Sequence, residues 1–259
     1  MKGECFNTSE SKNGSSPRFS IFVRKAAPLP RSAFIASLPV IIRYLTNQSN
    51  GVYFGMPKTS NAKGKLMEAA TDLIWSSSYG ATSVDSICAR AGVRKGSFYY
   101  FYKSKSDLAV AALEEDWQRK KPGYDAIFSP LVAPLDRISN YLEGVHSYQS
   151  QIKKERGWVL GCPMFTLGSE ISTRDPAIRK KVEEILSNRV KYIESALREA
   201  HTRHLIHAPD PAGKARTIFA LLQGALTQAR IQNNLEPISE LKKSVFEMLG
   251  IKDLHPKAA

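Results

Sequence analysis

The chain has 259 residues, 42% hydrophobic and 24% charged, enough for one large domain or two smaller ones with a buried core. Its three cysteines are widely spaced and include no C-x-x-C pair, which argues against a disulfide framework and a zinc finger and favours a reducing cytosol. The net charge of +13 favours a polyanionic partner. Residues 1–55 and 56–105 each carry a net charge of +5, so the charge is concentrated toward the N-terminal side.

Residues 1–55 form a basic extension with no acidic residue after Glu10. Their one strongly apolar run, at 34–45, is too short and too interrupted to span a bilayer. The composition resembles that of a transit peptide, but no amphipathic period supports this interpretation. The extension is interpreted as a disordered basic arm that adds phosphate affinity, or as upstream sequence from an incorrect start before Met56. Tethering to an anionic membrane is a further alternative, although no membrane partner is expected.

Apolar residues from position 62 onward recur with the period of an amphipathic helix. The stripe consists of Leu66, Ala69, Ala70, Leu73 and Ile74. Gly80 predicts a left-handed stop for this helix. Thr82 or Ser83 is expected to cap a second helix by accepting from its free amides, and Gly92 ends that helix with a tight turn.

A third helix is predicted from Lys95, with Phe98 and Phe101 facing the core. Its outward residues are Ser97, Tyr99 and Tyr100. Two short helices joined by a tight turn, the second cationic and rich in hydroxyl groups, are typical of a helix-turn-helix that lies in a DNA groove. The sequence therefore predicts a nucleic-acid-binding unit in this part of the chain.

At these residues the chain resembles the TetR family of bacterial transcriptional regulators. The resemblance rests on the run from Thr82 to Ile87 and on AGVRKGSFYYFYKSKSDL at residues 91–108. It implies an all-α protein, with a three-helix helix-turn-helix head at residues 56–108 and a helical effector-binding and dimerisation domain at residues 109–259. It further implies a ligand-responsive cytoplasmic, nucleoid-associated regulator, in particular a repressor released from a palindromic operator by a small molecule.

The resemblance also assigns DNA contacts to individual side chains. Ser83 matches a hydroxyl residue that binds phosphate, Tyr99 a tyrosine that reaches the backbone or a base edge, and Lys105 a lysine that holds a phosphate. The full set is Ser83, Arg94, Lys95, Gly96, Ser97, Tyr99, Tyr100 and Lys105. Their chemistry suits DNA, because cations bridge guanine edges while hydroxyls and phenols bind phosphates. Arg94 and Tyr100 depart from the family pattern, and the operator preference is expected to depend on them.

Helix signals continue beyond residue 110 without strand alternation. Pro134 and Pro163 each predict a helix start, the first for a helix ending near Gln151. Asp-Pro pairs at 175–176 and 210–211 predict N-caps followed by proline in the first turn. These pairs begin helices that end near His201 and Gln232, and a last helix follows Pro237 and ends at Gly250.

A homodimer through the last two long helices, at about 211–232 and 237–249, is implied by the resemblance. Dimerisation places two recognition helices ~34 Å apart, so that they read a near-palindrome. The apolar positions of these helices are Ile218, Leu221, Leu222, Ala225, Leu241, Val245, Phe246 and Leu249. The same stripe is typical of an internal core helix, so both interpretations remain open.

The segment GWVLGCPMFTLGSEISTRDPAIRKKVEEI resembles a TetR subgroup with a Gly-Cys motif. This resemblance implies a small, hydrophobic effector. The candidate pocket residues are Trp117, Tyr148, Trp158, Cys162, Met164 and Phe165, each alternatively a core residue. A sensor role for Cys162 is a further hypothesis, which requires an exposed thiolate with a low pKa.

Two motifs have catalytic or metal-binding spacing. Glu143 and His146 form an E-x-x-H pair without the second copy that a di-iron site needs. His201, His204 and His207 favour a frayed polar helix end over a metal site. With no G-x-S-x-G, Walker or dinucleotide motif, no catalytic residue, metal or cofactor is predicted. An all-α enzyme or small-molecule carrier is the alternative function.

Overall fold

The computed structural model describes residues 62–251, and every regular element in that range is a helix. The helices are α1 (Ala62–Ser76), α2 (Val84–Ala91), α3 (Lys95–Phe101), α4 (Lys105–Ile127), α5 (Pro134–Arg156), α6 (Pro163–Ile171), α7 (Pro176–Thr202), α8 (Pro211–Gln232), α9 (Glu236–Ser239) and α10 (Leu241–Met248). The predicted all-α fold is confirmed. The predictions for residues 1–55 and for Met56 lie outside the described residues. No helix within 62–251 combines the length and apolarity needed to cross a bilayer.

Helices α1, α2 and α3 form a small three-helix head around a common core. Leu66 and Ala70 of α1, Ile87 of α2 and Phe98 of α3 are completely buried. The spacing of apolar residues predicted the buried stripe of α1 and the inward position of Phe98, and both predictions are confirmed. Burying each of the larger side chains contributes about 2 kcal/mol, so this core holds the three short helices in a fixed arrangement.

The segment between α1 and α2 differs from the expectation. Helix α1 ends at Ser76, and Gly80 does not have a left-handed backbone, so the prediction of a left-handed stop there is wrong. Instead, the amides of Tyr79 and Gly80 donate to the carboxylate of Glu170 at 2.9 and 2.7 Å. A Cβ on Gly80 would lie 3.1 Å from Glu170 Oε1, so a larger residue here would crowd the end of the Glu170 side chain, and no positive φ is involved.

The remaining helices form the body of the protein. Helix α7 (27 residues) and helix α8 (22 residues) begin at the predicted Asp-Pro pairs. The carboxylate of Asp175 accepts the amides of Ala177 and Ile178 at 3.1 and 3.0 Å, as an N-cap should. Helix α5 runs past Gln151 to Arg156, where Gly157 ends it with φ of 78°.

The last part of the chain is not one long helix. It is divided into the short helices α9 and α10. The apolar side chains of α10 and its C-terminal flank, Leu241, Val245, Phe246 and Leu249, are buried inside the protomer. Ile218 and Leu222 of α8 are also buried inside the protomer. These six side chains therefore belong to an internal core, which was one of the two interpretations of the apolar stripe. The expectation that these side chains contact a second subunit is wrong, because the protomer's own core already covers them. The two longest helices near the C-terminus are α7 and α8.

Candidate DNA-binding surface and effector cavity

Helix α2 is fixed at its two ends, and the second of them begins the turn into α3. Ser83 Oγ accepts the Ser86 amide at 3.0 Å, while Ser86 Oγ accepts the Ser83 amide at 3.0 Å. This reciprocal capping box includes Ser86, which the sequence analysis did not single out because Ser rarely replaces Glu or Gln at that position. At the other end Gly92 has φ of 64°, which is the left-handed conformation expected of a glycine that makes this tight turn. The capping box fixes the start of α2, and the left-handed Gly92 sets the turn that orients α3 against α2.

Helix α3 presents an exposed face of aromatic, cationic and small residues. Tyr99 and Tyr100 are 56% and 82% exposed, although each ring packs edge-on against a neighbouring phenylalanine. Arg94, Lys95 and Gly96 are also exposed, and Ser97 is half-buried. The structure therefore brings these predicted contact residues to one surface of the head.

Lys95, among the described residues of this face, forms an ion pair with a carboxylate of α2. Its ammonium lies 2.8 Å from a carboxylate oxygen of Asp85, and this hydrogen bond raises the pKa of Lys95. Both side chains are exposed. An exposed pair of this kind is weak, so Lys95 can exchange Asp85 for a phosphate at little cost.

Lys105 is less exposed than the sequence suggested. Its ammonium donates to the carbonyl oxygens of Tyr79 and Thr82, both at 2.7 Å, and lies 4.0 Å from the centre of the Tyr79 ring. Burial lowers the pKa of Lys105. An ammonium has three N–H donors, so two of them hold the turn before α2 and one is left to reach a phosphate.

The head is tied to the body by two carboxylates. Besides the Glu170 contact, the buried Asp72 of α1 lies 2.6 Å from Arg90 of α2 and 2.6 Å from Arg156 at the end of α5. Asp72 thus bridges a helix of the head and a helix of the body. Asp72 and Glu170 therefore join the head directly to α5 and α6.

A third link runs through Trp75 at the end of α1. Its indole N–H donates to the carbonyl oxygens of Leu160 and Gly161 at 3.1 and 3.3 Å. The Arg230 guanidinium of α8 donates to the carbonyl oxygens of Trp75 and Leu160 at 3.2 and 2.8 Å. The Gly161 peptide also exchanges two hydrogen bonds with the side-chain amide of Gln149. Helices α1, α5 and α8 therefore meet at the loop before Cys162.

A cavity of about 120 Å³ lies in the body beside this loop. Aromatic and aliphatic side chains from α4, α5 and α8 make up most of its wall, among them Tyr124, Tyr141, Leu222 and Leu226. An apolar cavity of roughly 150 Å³ is enough to hold benzene, so this space suits a ligand of a few heavy atoms.

The predicted pocket residues are divided between this cavity and other places. Tyr148 and Cys162 lie on the cavity wall. Trp117 and Met164 are buried behind it, with Trp117 packed against Tyr124. Trp158 is 61% exposed, and Phe165 is 37% exposed on the outer side of α6. The structure thus places Trp158 and Phe165 outside the cavity, because the loop that carries Cys162 turns Trp158 to the surface.

The sequence analysis missed most of the wall, including its polar residues Lys120, Gln149, Gln223 and Arg189. Lys120 pairs with the buried Asp116 at 2.8 Å. Arg189 of α7 donates to the sulfur atoms of Cys162 and Met164 at 3.5 and 2.9 Å. No local pattern in the sequence separates Arg189 from the surface cations of α7, since only the packing of α7 turns it inward.

The side chains with catalytic or metal-binding spacing have other partners. Glu143 forms an ion pair with Lys242, and His146 Nε2 lies 3.1 Å from Ser239 Oγ. His201 Nδ1 accepts the amide of Ala208 at 3.3 Å. Within residues 62–251 no three His, Cys, Asp or Glu side chains are placed to hold a metal ion.

Two family models match the chain. The model for the TetR family of bacterial regulatory proteins matches residues 66–112, and the one for the tetracyclin repressor-like C-terminal domain matches residues 134–245. The chain belongs to the TetR family of transcriptional regulators. An uncharacterized HTH-type transcriptional regulator in the lacX 3′ region of Lactococcus lactis subsp. lactis is 31% identical over 198 residues, covering 74% of this chain and 96% of the relative.

Relatives with assigned names are more distant. The HTH-type transcriptional repressor NemR of Escherichia coli K12 is 24% identical over 189 residues, which cover 71% of this chain and 92% of NemR. The crystal structure of reduced E. coli NemR matches with a TM-score of 0.65 over 72% of this chain and 95% of that chain. Bacillus subtilis FadR, solved in complex with stearoyl-CoA, matches with a TM-score of 0.59 at 18% identity. These structures show that the family's fold extends over both head and body.

Proposed function

We propose that this TetR family member is a cytoplasmic repressor that binds a near-palindromic operator as a homodimer and is released by a small molecule bound in the body cavity. The observation that carries the proposal is the exposed face of α3, where tyrosines, cations and a glycine lie together. The left-handed turn at Gly92 holds this helix against α2. The relatives named as repressors support the direction of regulation.

On DNA, α3 is proposed to lie in the major groove. Arg94 and Lys95 at its start suit base edges or phosphates, and Tyr99 and Tyr100 suit the backbone on either side. The hydroxyl of Ser83 already accepts the Ser86 amide but retains its own proton, which it can donate to a phosphate. Lys105 contributes its remaining N–H and keeps the preceding turn in place.

The proposed dimer contact is the outward face of α8. From Thr217 to Ala229 this helix has no charged residue, although one side of it faces outward. Leu221 is 42% exposed and Ile231 77% exposed on that side. A solvent-facing helix normally carries charges on its outer face, so this uncharged stripe fits packing against the same helix of a second copy. Helix α10, whose apolar side chains are internal, contributes no apolar contact.

Release from DNA is proposed to follow from the links between cavity and head. A ligand that moves Tyr148, Cys162 or the Gly161 peptide also moves Trp75, because the indole is bonded to that loop. The ligand then favours a dimer whose two heads no longer match successive grooves, and it shifts the population toward that state.

The test uses operator fragments selected from random DNA by the purified full-length protein. We expect Tyr99→Ala to weaken binding at least ~10-fold while the dimer stays folded by circular dichroism and light scattering. The matched control is Lys243→Ala on the exposed side of α10, which should bind like wild type. Failure to select any DNA, or unchanged affinity for both Tyr99→Ala and Lys95→Ala, would remove the proposed function.

A further inference from the structure

Arg189 is a buried cation without a described carboxylate partner. The residue is 7% exposed, and its guanidinium donates to the thiol of Cys162 and the thioether of Met164. Sulfur is a weak acceptor. The guanidinium also lies 5.5 Å from the centre of the Tyr124 ring. None of these neighbours carries a formal negative charge in its ordinary protonation state.

The other deeply buried arginine of the body has a carboxylate partner, although its Nη2 also lacks a hydrogen bond among the described residues. Arg137 is 2% exposed, lies 2.6 Å from the carboxylate of Glu199 and donates to the carbonyl oxygen of Val132. The nearby carboxylate of Asp116 cannot serve Arg189 in this way, because Arg119 and Lys120 already hold it at 2.7 and 2.8 Å. A buried charge is costly unless it is paired, so Arg189 lacks what Arg137 has.

Two further polar atoms on the wall of the same cavity lack partners among the described residues. They are the hydroxyl of Tyr148 and Oε1 of Gln223, and Nε of Arg189 also has none. The Tyr148 hydroxyl and Arg189 Nε are donors on residues that line a cavity whose other walls are largely aromatic and aliphatic, whereas Gln223 Oε1 is an acceptor. A ligand that pairs with the Arg189 guanidinium has an anionic acceptor at one end and an apolar body, and it leaves Gln223 Oε1 to another donor.

We infer that the cavity binds a small organic monocarboxylate, of about the size of propionate or butyrate, and that Arg189 pairs with its carboxylate. The inference rests on the proposed function and names the chemical class of its effector. A guanidinium matches a carboxylate with two parallel N–H donors, and such charge-assisted bonds are stronger than those between neutral groups. The volume of about 120 Å³ is smaller than the roughly 150 Å³ that holds benzene, so it restricts the apolar body to a short chain.

The competing source of negative charge is Cys162 itself. A thiolate at Sγ, 3.5 Å from Arg189 Nη1, would neutralise the guanidinium without a ligand. In that case a carboxylate would gain nothing over a neutral molecule of the same shape. A bound water would satisfy a hydrogen bond but not the charge, so it does not replace an anion.

The first experiment titrates the full-length protein with matched pairs: propionate against propionamide, and butyrate against butyramide. Calorimetry gives Kd and thermal unfolding gives the ligand-dependent rise in Tm. We expect at least one acid to bind about 10-fold or more tightly than its amide. If no acid binds, or if the amides bind equally well, the inference is wrong.

The second experiment uses Arg189→Met, which removes the charge and keeps an apolar side chain of similar length. We expect the acid-to-amide ratio to fall to about one, while the Tm without ligand does not fall, because an unpaired buried charge has been removed. If the Met variant does not fold, the acid-to-amide ratio is measured on Arg189→Gln, where it should also fall to about one. The control is Arg179→Met, an exposed cation on the same helix, which should keep the wild-type ratio. An unchanged ratio in both Arg189 variants overturns the inference.

Operator binding without ligand is measured in parallel. If the wild type binds its operator but no acid, the effector class is wrong and the proposed regulator stands. If it binds acids but no DNA, the proposed function fails and the cavity assignment stands. Cys162→Ser distinguishes the inference from the alternative in which a Cys162 thiolate neutralises Arg189. If the thiolate were the partner, this variant would have a lower Tm and would gain acid binding that wild type lacks.

Discussion

The ring of Tyr148, on the cavity wall, lies parallel to the indole of Trp75 at the end of α1, with ring centroids 6.2 Å apart and an interplanar angle of 9°. This offset stack belongs to a small cluster with Ile152 and Leu160 that is separate from the main core. It joins the place where an effector would bind to the first helix of the head. Coupling between the two sites therefore has a direct physical route through packed side chains.

Trp75→Phe is expected to weaken that coupling. One aromatic ring is kept, but the N–H and the second ring of the buried indole are lost. The two carbonyl oxygens retain Arg230 and Gln149 as donors, so the cost in stability is that of the lost hydrogen bond and of the space left behind, roughly 2–3 kcal/mol. The ratio of operator affinities with and without a releasing ligand should fall toward one. Fluorescence anisotropy with labelled operator measures this ratio. The exposed Trp158→Phe is the matched control, and an equal change in both variants would contradict the route through Trp75.

Gly96→Ala is expected to separate folding from DNA contact. A Cβ at this position meets no atom of the protein within 4 Å, and alanine is favoured over glycine in a helix by roughly 0.5–1 kcal/mol. The variant should therefore be as stable as wild type or slightly more so in urea. Its operator affinity should nevertheless fall, because the added methyl group stands between α3 and the groove. An operator affinity equal to that of wild type would place Gly96 away from the DNA.

Asp116→Asn is expected to lower stability in a pH-dependent way. Burial, the largest single influence, raises the pKa of Asp116, but Lys120 and Arg119 together outweigh it and lower the pKa below its ordinary value. The ionised carboxylate therefore stabilises the folded state above the unfolded-state pKa of about 4, and this contribution is lost as the pH falls through the folded-state pKa.

We expect Asp116→Asn to cost roughly 2–4 kcal/mol in urea unfolding at pH 7, because it leaves two partly buried cations without their partner. The difference from wild type should shrink as the pH is lowered below about 4. Glu183→Gln, at an exposed position of α7, is the control and should change little at either pH. A difference that stays constant with pH would show that the effect does not come from ionisation.

Leu221→Glu is expected to dissociate the dimer. It places a charge in the middle of the uncharged outward stripe of α8, where a second copy of that helix would have to bury it. Light scattering should show a monomer at concentrations where wild type is a dimer. Operator affinity should fall about 100-fold or more, because two separate heads lose the benefit of linkage. Leu205→Glu, at a residue that is 49% exposed after α7, should leave the dimer intact.

The local features of this protein were readable from its sequence. The Asp-Pro pairs predicted the starts of α7 and α8, Gly92 predicted the left-handed turn before α3, and apolar spacing predicted the buried Leu66 and Phe98. These features depend on residues within a few positions of each other, whose backbone preferences and caps act without the rest of the fold. The charge and hydroxyl pattern of α3 likewise indicated its exposed face.

Only the tertiary structure decided which apolar stripes are internal and which partners the polar groups have. Val245 and Leu221 occupy similar helical patterns, yet one is buried in the protomer and the other is exposed, because periodicity does not say what lies opposite a helix face. Glu170 and the Tyr79 amide are 91 residues apart in the chain, so no local pattern predicts their bond. The inward position of Arg189 has the same origin: the packing of α7 against the cavity, and not its neighbours in sequence, leaves this cation without a carboxylate.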